Sequence, residues 1–151
     1  MALLKKTRSA QTPLVAEFVF NFDDTMVDVA GVTKTLGSVY TDAGNFEVIP
    51  LPVNAEVIGG EVQVQVQGVG PTAYSVNVGD SGSATKYASA VSLLGAVGAR
   101  TALTLTAAAI NSSGLDIRMA VTSSVANATA GKWVLRVMYV IRDRATEVAS
   151  T

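Results

Sequence analysis

The sequence predicts an all-β chain: an antiparallel β-sandwich, jelly-roll-like, of about eight strands with an extended N-terminal arm. Three observations lead there. Apolar and polar residues alternate with period two along most of the 151 residues. Short turns rich in Gly, Asn, Asp and Ser separate the alternating runs. No stretch has the spacing of a βαβ unit, which leaves a sandwich or barrel, with a two-sheet jelly roll the leading choice.

Residues 1–14 read as the arm, 15–142 as the sandwich domain and 143–151 as a C-terminal tail. The first strand carries Phe18, Phe20 and Phe22 on one face, against Val19 and Asn21 on the other. Weaker strands are expected at Val32–Tyr40 and Phe46–Ile49. Val62, Val64 and Val66 alternate with Glu61, Gln63, Gln65 and Gln67, the cleanest half-buried pattern in the chain. Just before it, Gly59-Gly60 interrupts a continuous strand, where a bulge or bend is the usual meaning. Tyr74, Val76 and Val78 predict the next strand, and Leu103 and Leu105 another. Leu115, Ile117, Met119 and Val121 alternate before the last strand, where Trp133, Leu135, Val137, Tyr139 and Ile141 share a face. The aromatic residues of these strands are expected in the core. Only Ala84–Leu94 has a composition that suits a helical turn or two. The tails, polar and basic before residue 15 and without alternation after 142, either stay unstructured or order on a partner.

Composition limits the chemistry. The chain has no Cys and no His, so thiolate metal sites, thiol nucleophiles, imidazole bases and Ser-His-Asp triads are excluded. We therefore expect no enzyme and no cofactor. Charged residues make up 15% of the chain, against roughly 25% in ordinary soluble domains. Little charge and a net charge of −1 favour a surface that meets other protein. The start of the chain has too few apolar residues before its charges for a signal peptide, and no run approaches a membrane span, so no membrane partner is expected.

The charge is also unevenly spread. Residues 1–16 carry Lys5, Lys6 and Arg8 and no acid; residues 17–85 carry nine acids against Lys34; residues 86–151 carry seven bases against three acids. No basic face for nucleic acid is expected from this pattern. The opposed charges either pair across the sheets or form complementary patches for assembly.

Three motifs bear on chemistry. Gly79-Asp80-Ser81-Gly82 copies the tetrapeptide around the nucleophile of trypsin-like proteases, but without His it reads as a turn, and nothing visible would make Lys86 a base. Asp23, Asp24 and Asp28 lie close enough in sequence to raise the question of a cation, though the EF-hand spacing is absent. Gly68-Val69-Gly70-Pro71 and Gly95-Ala96-Val97-Gly98 lack the residues of a phosphate loop.

The order of features carries a resemblance. The run Val53-Asn54-Ala55-Glu56-Val57-Ile58-Gly59-Gly60-Glu61-Val62-Gln63-Val64 precedes Tyr74-Ser75-Val76-Asn77-Val78-Gly79-Asp80 and Lys86-Tyr87; Thr101-Ala102-Leu103-Thr104 and the stretch from Thr129 to Val140 come later. Over residues 15–142 this resembles small structural proteins of tailed bacteriophages, in particular capsid decoration (cement) proteins of short-tailed phages. The resemblance implies a virion protein, made in the host cytoplasm, that binds the outer surface of the head and bridges major capsid protein subunits as a homo-oligomer, dimer or trimer. It implies no catalytic residues. The expected capsid-binding arm consists of Lys5, Lys6 and Arg8 for acidic patches, with Leu3, Leu4 and Leu14 for shallow pockets. The alternative is a carbohydrate- or receptor-binding β-sandwich module of a phage fibre or tail. That reading needs exposed aromatics, such as a Tyr40–Tyr74–Tyr87 cluster.

Overall fold

The computed structural model describes residues 12–39, 44–105, 110–111 and 116–142. Among them there is no helix, and so none long and apolar enough to cross a membrane. The strands are β1 (Leu14–Asn21), β2 (Thr25–Val27), β3 (Thr33–Thr35), β4 (Gly44–Ile49), β5 (Ala55–Val69) and β6 (Ala73–Gly79). They continue with β7 (Ala88–Ser92), β8 (Arg100–Ala102), β9 (Ile110–Asn111), β10 (Ile117–Ser124) and β11 (Ala130–Ile141).

Two antiparallel sheets form the sandwich. One runs β1-β11-β5-β8, with β9 also pairing β5; the other runs β4-β10-β6-β7. β2 and β3 form a separate hairpin. If the strands on the two main paths are renumbered in chain order, the sheets read 1-8-3-6 and 2-7-4-5. This is the double Greek-key order of a jelly roll. The predicted fold class is the observed one.

Period two explains which side chains meet. Phe20, Val57, Val62, Val64, Trp133, Leu135 and Val137 of the first sheet face Phe46, Tyr74, Val76, Val78, Ile117, Met119 and Val121 of the second, in one buried cluster. Phe18, Phe22 and Tyr139 pack against it, half-buried, in line with the core expected for the aromatics. Trp133 sits at the centre. Its ring lies 5.4 Å from Phe20 and meets Tyr74 edge-on at 5.2 Å. Its Nε1–H donates to the Leu93 carbonyl at 3.0 Å, and the Tyr74 hydroxyl donates to the Leu36 carbonyl at 2.9 Å. Both polar handles are thus satisfied inside an apolar layer. Gly68 and Gly131 make the slot: a Cβ on Gly131 would lie 2.1 Å from the Trp133 ring, and one on Gly68 3.1 Å from it.

Several local expectations are corrected. Ala84–Leu94 is not helical; its second half is β7, because Val91 pairs with Val76 and Ala88 with Val78 across the sheet. The strand expected over Val32–Tyr40 shrinks to β3: the Leu36 N–H adds one more bond across the hairpin, to the Asp24 carbonyl, and the Gly37 N–H then leaves its register for the Phe22 carbonyl. Leu105 does not join Leu103 in the core but is exposed: the Leu103 N–H still bonds to the Gly60 carbonyl of β5, and at Thr104 the chain turns away to the Tyr87 carbonyl. Val66 also leaves the core and is 46% exposed. The register opposes Trp133 to Val64 but Lys132 to Val66, so one extra residue of β5, Gln65, turns Val66 outward, and a second shift between Ala130 and Lys132 returns Gly68 to the inner face. Gly59-Gly60 behaves as expected of a bulge: Met138 faces Gly59 while Tyr139 faces Val57, leaving Ile58 unpaired in the ladder.

Candidate functional site

Most of the sequence-predicted binding residues, Leu3, Leu4, Lys5, Lys6 and Arg8, lie outside the described residues. Leu14 is described: it opens β1, half-buried and in register with Tyr139. Leu14 thus lies on the edge strand of the first sheet.

The three aspartates that raised the cation question are not brought together. Asp24 accepts the Asn21 N–H at 2.6 Å and Asp23 is exposed. Asp28 is buried and accepts the Val32 and Ala30 N–H groups at 2.8 and 2.9 Å, with Lys34 Nζ 3.1 Å from its other oxygen. The Val32 amide leads the groups that hold the Asp28 carboxyl below its ordinary value, against the opposing effect of burial. Among the described residues no three Asp or Glu side chains are grouped to hold a metal.

Gly79-Asp80-Ser81-Gly82 forms the expected turn. Asp80 Oδ1 accepts the Gly82 and Ser83 N–H groups at 2.9 and 3.1 Å, and Lys86 Nζ donates to Oδ2 at 2.5 Å. Burial pushes the Asp80 carboxyl up, but the Lys86 bond and the two amides together outweigh it and hold the value below 3.8. The same bond raises Lys86 above 10.5, the opposite of what a lysine base requires. These directions set the sign of the pH effect. A lowered carboxyl contributes stability at neutral pH that is lost as pH falls through its folded value; a raised lysine loses its contribution only at the alkaline end. Asp80→Asn is thus expected to lower the melting temperature at pH 7 and to flatten the acid limb of the stability curve below about pH 4. Thermal melts across the acid range check both.

The carbohydrate reading loses its aromatic platform. Tyr74 and Tyr87 are both buried, and Tyr40 lies outside the described residues.

The split charge resolves largely into pairs across the sheets. Arg136 donates to Glu17 at 2.7 Å, to Glu61 at 2.9 Å and to Gln63 at 2.8 Å. Arg100 meets Glu61, Arg118 meets Glu47 and Arg142 meets Glu56. Acids of the first half are thus met by bases of the second, because β11 and β10 run between strands from the first half of the chain. Glu17, then Glu61, push the Arg136 guanidinium above its ordinary value.

The outer face of the first sheet is what single-residue reading missed. Arg136 is its hub, with Glu17 and Glu61 opposite it on the two neighbouring strands. One row away, Val15 faces Met138 and Met138 faces Gly59. Val15, Gly60, Glu61, Arg136 and Met138 line a shallow dent of about 300 Å³. Val19, Ile58 and Val15 are exposed around it, while Val134, on the same face, is fully buried. The chemistry available is apolar contact around a neutralised ion cluster, which suits protein contact better than catalysis. The signal in the sequence was the second apolar set of the alternating strands, Val15, Val19, Val134 and Met138.

No protein-family model matches the chain, and no curated protein matches it by sequence. Solved structures do. The chain is similar to one in the capsid asymmetric unit of cyanophage Pam1, at 20% identity and a TM-score of 0.58, over 93% of this chain and 99% of that one. It is also similar to a chain of the acid-stable capsid structure of Helicobacter pylori bacteriophage KHP30, at 19% identity and a TM-score of 0.59, over 85% and 87%. At these identities the likeness is one of fold.

Proposed function

We propose that the chain is a structural protein of a phage head, a decoration protein that binds the outer surface of the capsid and bridges neighbouring major capsid protein subunits. The observation that carries this reading is the end-to-end likeness to a chain of a phage capsid asymmetric unit, with little of either chain left over. The exposed apolar rows and neutralised ion clusters of the sandwich support a role in protein contact, and the absence of His and Cys from the chain narrows the catalytic alternatives. A clip of this kind works by number. Each bridge adds a modest binding free energy, and many symmetric copies multiply it.

In this reading residues 1–14 are the clasp. Lys5, Lys6 and Arg8 meet acidic capsid patches, Leu3 and Leu4 fill shallow apolar sites, and Leu14 anchors the base of the arm in β1. The copies self-associate on the head, and neither nucleic acid nor membrane is a partner.

Deletion of residues 2–12 tests the arm. The truncated chain is expected to keep its sheet signal in circular dichroism, because the sandwich begins at Leu14. Its affinity for heads of the phage that carries the gene, read by co-sedimentation, is expected to fall by at least about tenfold, which corresponds to a total loss of ~1.4 kcal/mol. Undiminished occupancy of the truncated chain on heads would overturn the role given to the arm.

A further inference from the structure

A jelly roll leaves sheet edges open, and three of the four here are blunted. β4 receives a bond along its edge from the Val29 N–H to the Asn45 carbonyl. β7 is broken by Ala90 at φ 50° and by a register shift. β8 is only three residues long. β1 has none of these devices: its eight residues pair with β11 without a register shift.

The hydrogen-bond phase along β1 says which groups are free. Phe22 N–H donates to the Gly131 carbonyl, so by alternation Phe20, Phe18 and Ala16 turn their amides toward β11 and Val19, Glu17 and Val15 turn theirs away. Asn21 confirms the phase, since its N–H points off the sheet to Asp24. Val15, Glu17 and Val19 have no backbone partner on that side among the described residues. The open segment is closed at one end by this Asn21–Asp24 bond and at the other by Pro13, which has no N–H. It is centred on Glu17.

We propose that a second copy of this chain occupies that edge, β1 against β1, antiparallel about a two-fold axis at Glu17. Turned end for end, the segment is its own complement. The outward N–H and C=O groups of Val15 meet those of Val19 in the other copy, and those of Glu17 meet their own image. Val15 and Val19, 60% and 40% exposed, become cross-strand apolar pairs on the outer face. The two Glu17 carboxylates do not meet as bare charges, because each is held by Arg136 of its own sheet at 2.7 Å. The first sheets of the two copies then form one continuous sheet. This pairing does not depend on the proposed role at the head.

Sedimentation of the full chain tests it, with a dimer of twice the 15.5 kDa chain mass expected. Val19→Pro removes an N–H aimed at the partner and leaves the β11 ladder intact; Glu17→Lys sets two lysines beside two arginines at the axis. Each is expected to raise the dimer dissociation constant by at least about tenfold. Because the chain has no cysteine, Glu17→Cys gives a single thiol, and a short bismaleimide is expected to link two copies there but not through Ser89→Cys on β7. The linking result decides even if a disrupting variant fails to fold. A monomer at all concentrations, an oligomer untouched by the folded variants, or equal linking at both positions would overturn the proposal.

Discussion

Trp133→Ala is expected to cost the fold about 3–5 kcal/mol, a large share of the margin of a domain whose total stability is of order 5–15 kcal/mol. The reason is geometric. The indole is fully buried, and it touches both sheets through Phe20 and Tyr74. Gly68 and Gly131 leave no side chain that could close over the space. Alanine would also remove one of the two donors to the Leu93 carbonyl, leaving it the Gly68 N–H. Urea unfolding followed by circular dichroism measures the loss. Val66→Ala is the contrast: although it shares the alternating pattern of Val62 and Val64, it is exposed, and its cost is expected to stay below about 1 kcal/mol. Equal costs at the two positions would contradict the placement of the core.

Gly60→Ala is expected to destabilise the first sheet by about 3 kcal/mol, while Gly59→Ala next to it is nearly silent. Gly60 has φ +149°, and its added Cβ would lie 2.2 Å from the Arg136 carbonyl and 2.7 Å from Leu103. Backbone strain and overpacking, each worth roughly 1–3 kcal/mol, then act together. The Cβ added to Gly59 would meet only the Met138 methyl, the free end of a flexible side chain. The pair reads the bulge directly, since its consequence is that adjacent glycines differ this much. Comparing the two midpoints of urea unfolding checks the difference.

The fold class was legible because a sandwich strand writes its burial as alternation, and β6, β10 and β11 keep that alternation without interruption on their inner faces. Legibility failed where the ladder slips. The bulge at Gln65 sends Val66 outward, and no local feature of Gln63-Val64-Gln65-Val66 marks it, because the slip is set by the pairing of Trp133 and Lys132 on another strand. β7 was hidden for a related reason: Ala88–Ser92 has small, ambiguous residues, and its strand state comes from pairing with β6. The charge split along the chain was visible, but not its outcome. Only the strand order, with β11 between β1 and β5, turns Glu17, Glu61 and Arg136 into one cluster and uses most of the charge within the fold. The outer face and the open β1 edge depend on hydrogen-bond phase, which composition does not carry.

Whether this sandwich decorates a phage head is decided by cryo-electron microscopy of heads from the phage that carries the gene. Density for the eight-stranded jelly roll is expected on the outer surface, in contact with two neighbouring capsid subunits and absent from heads made without the gene. Heads that lack such density, or density for this chain only in the tail, would refute the proposed role.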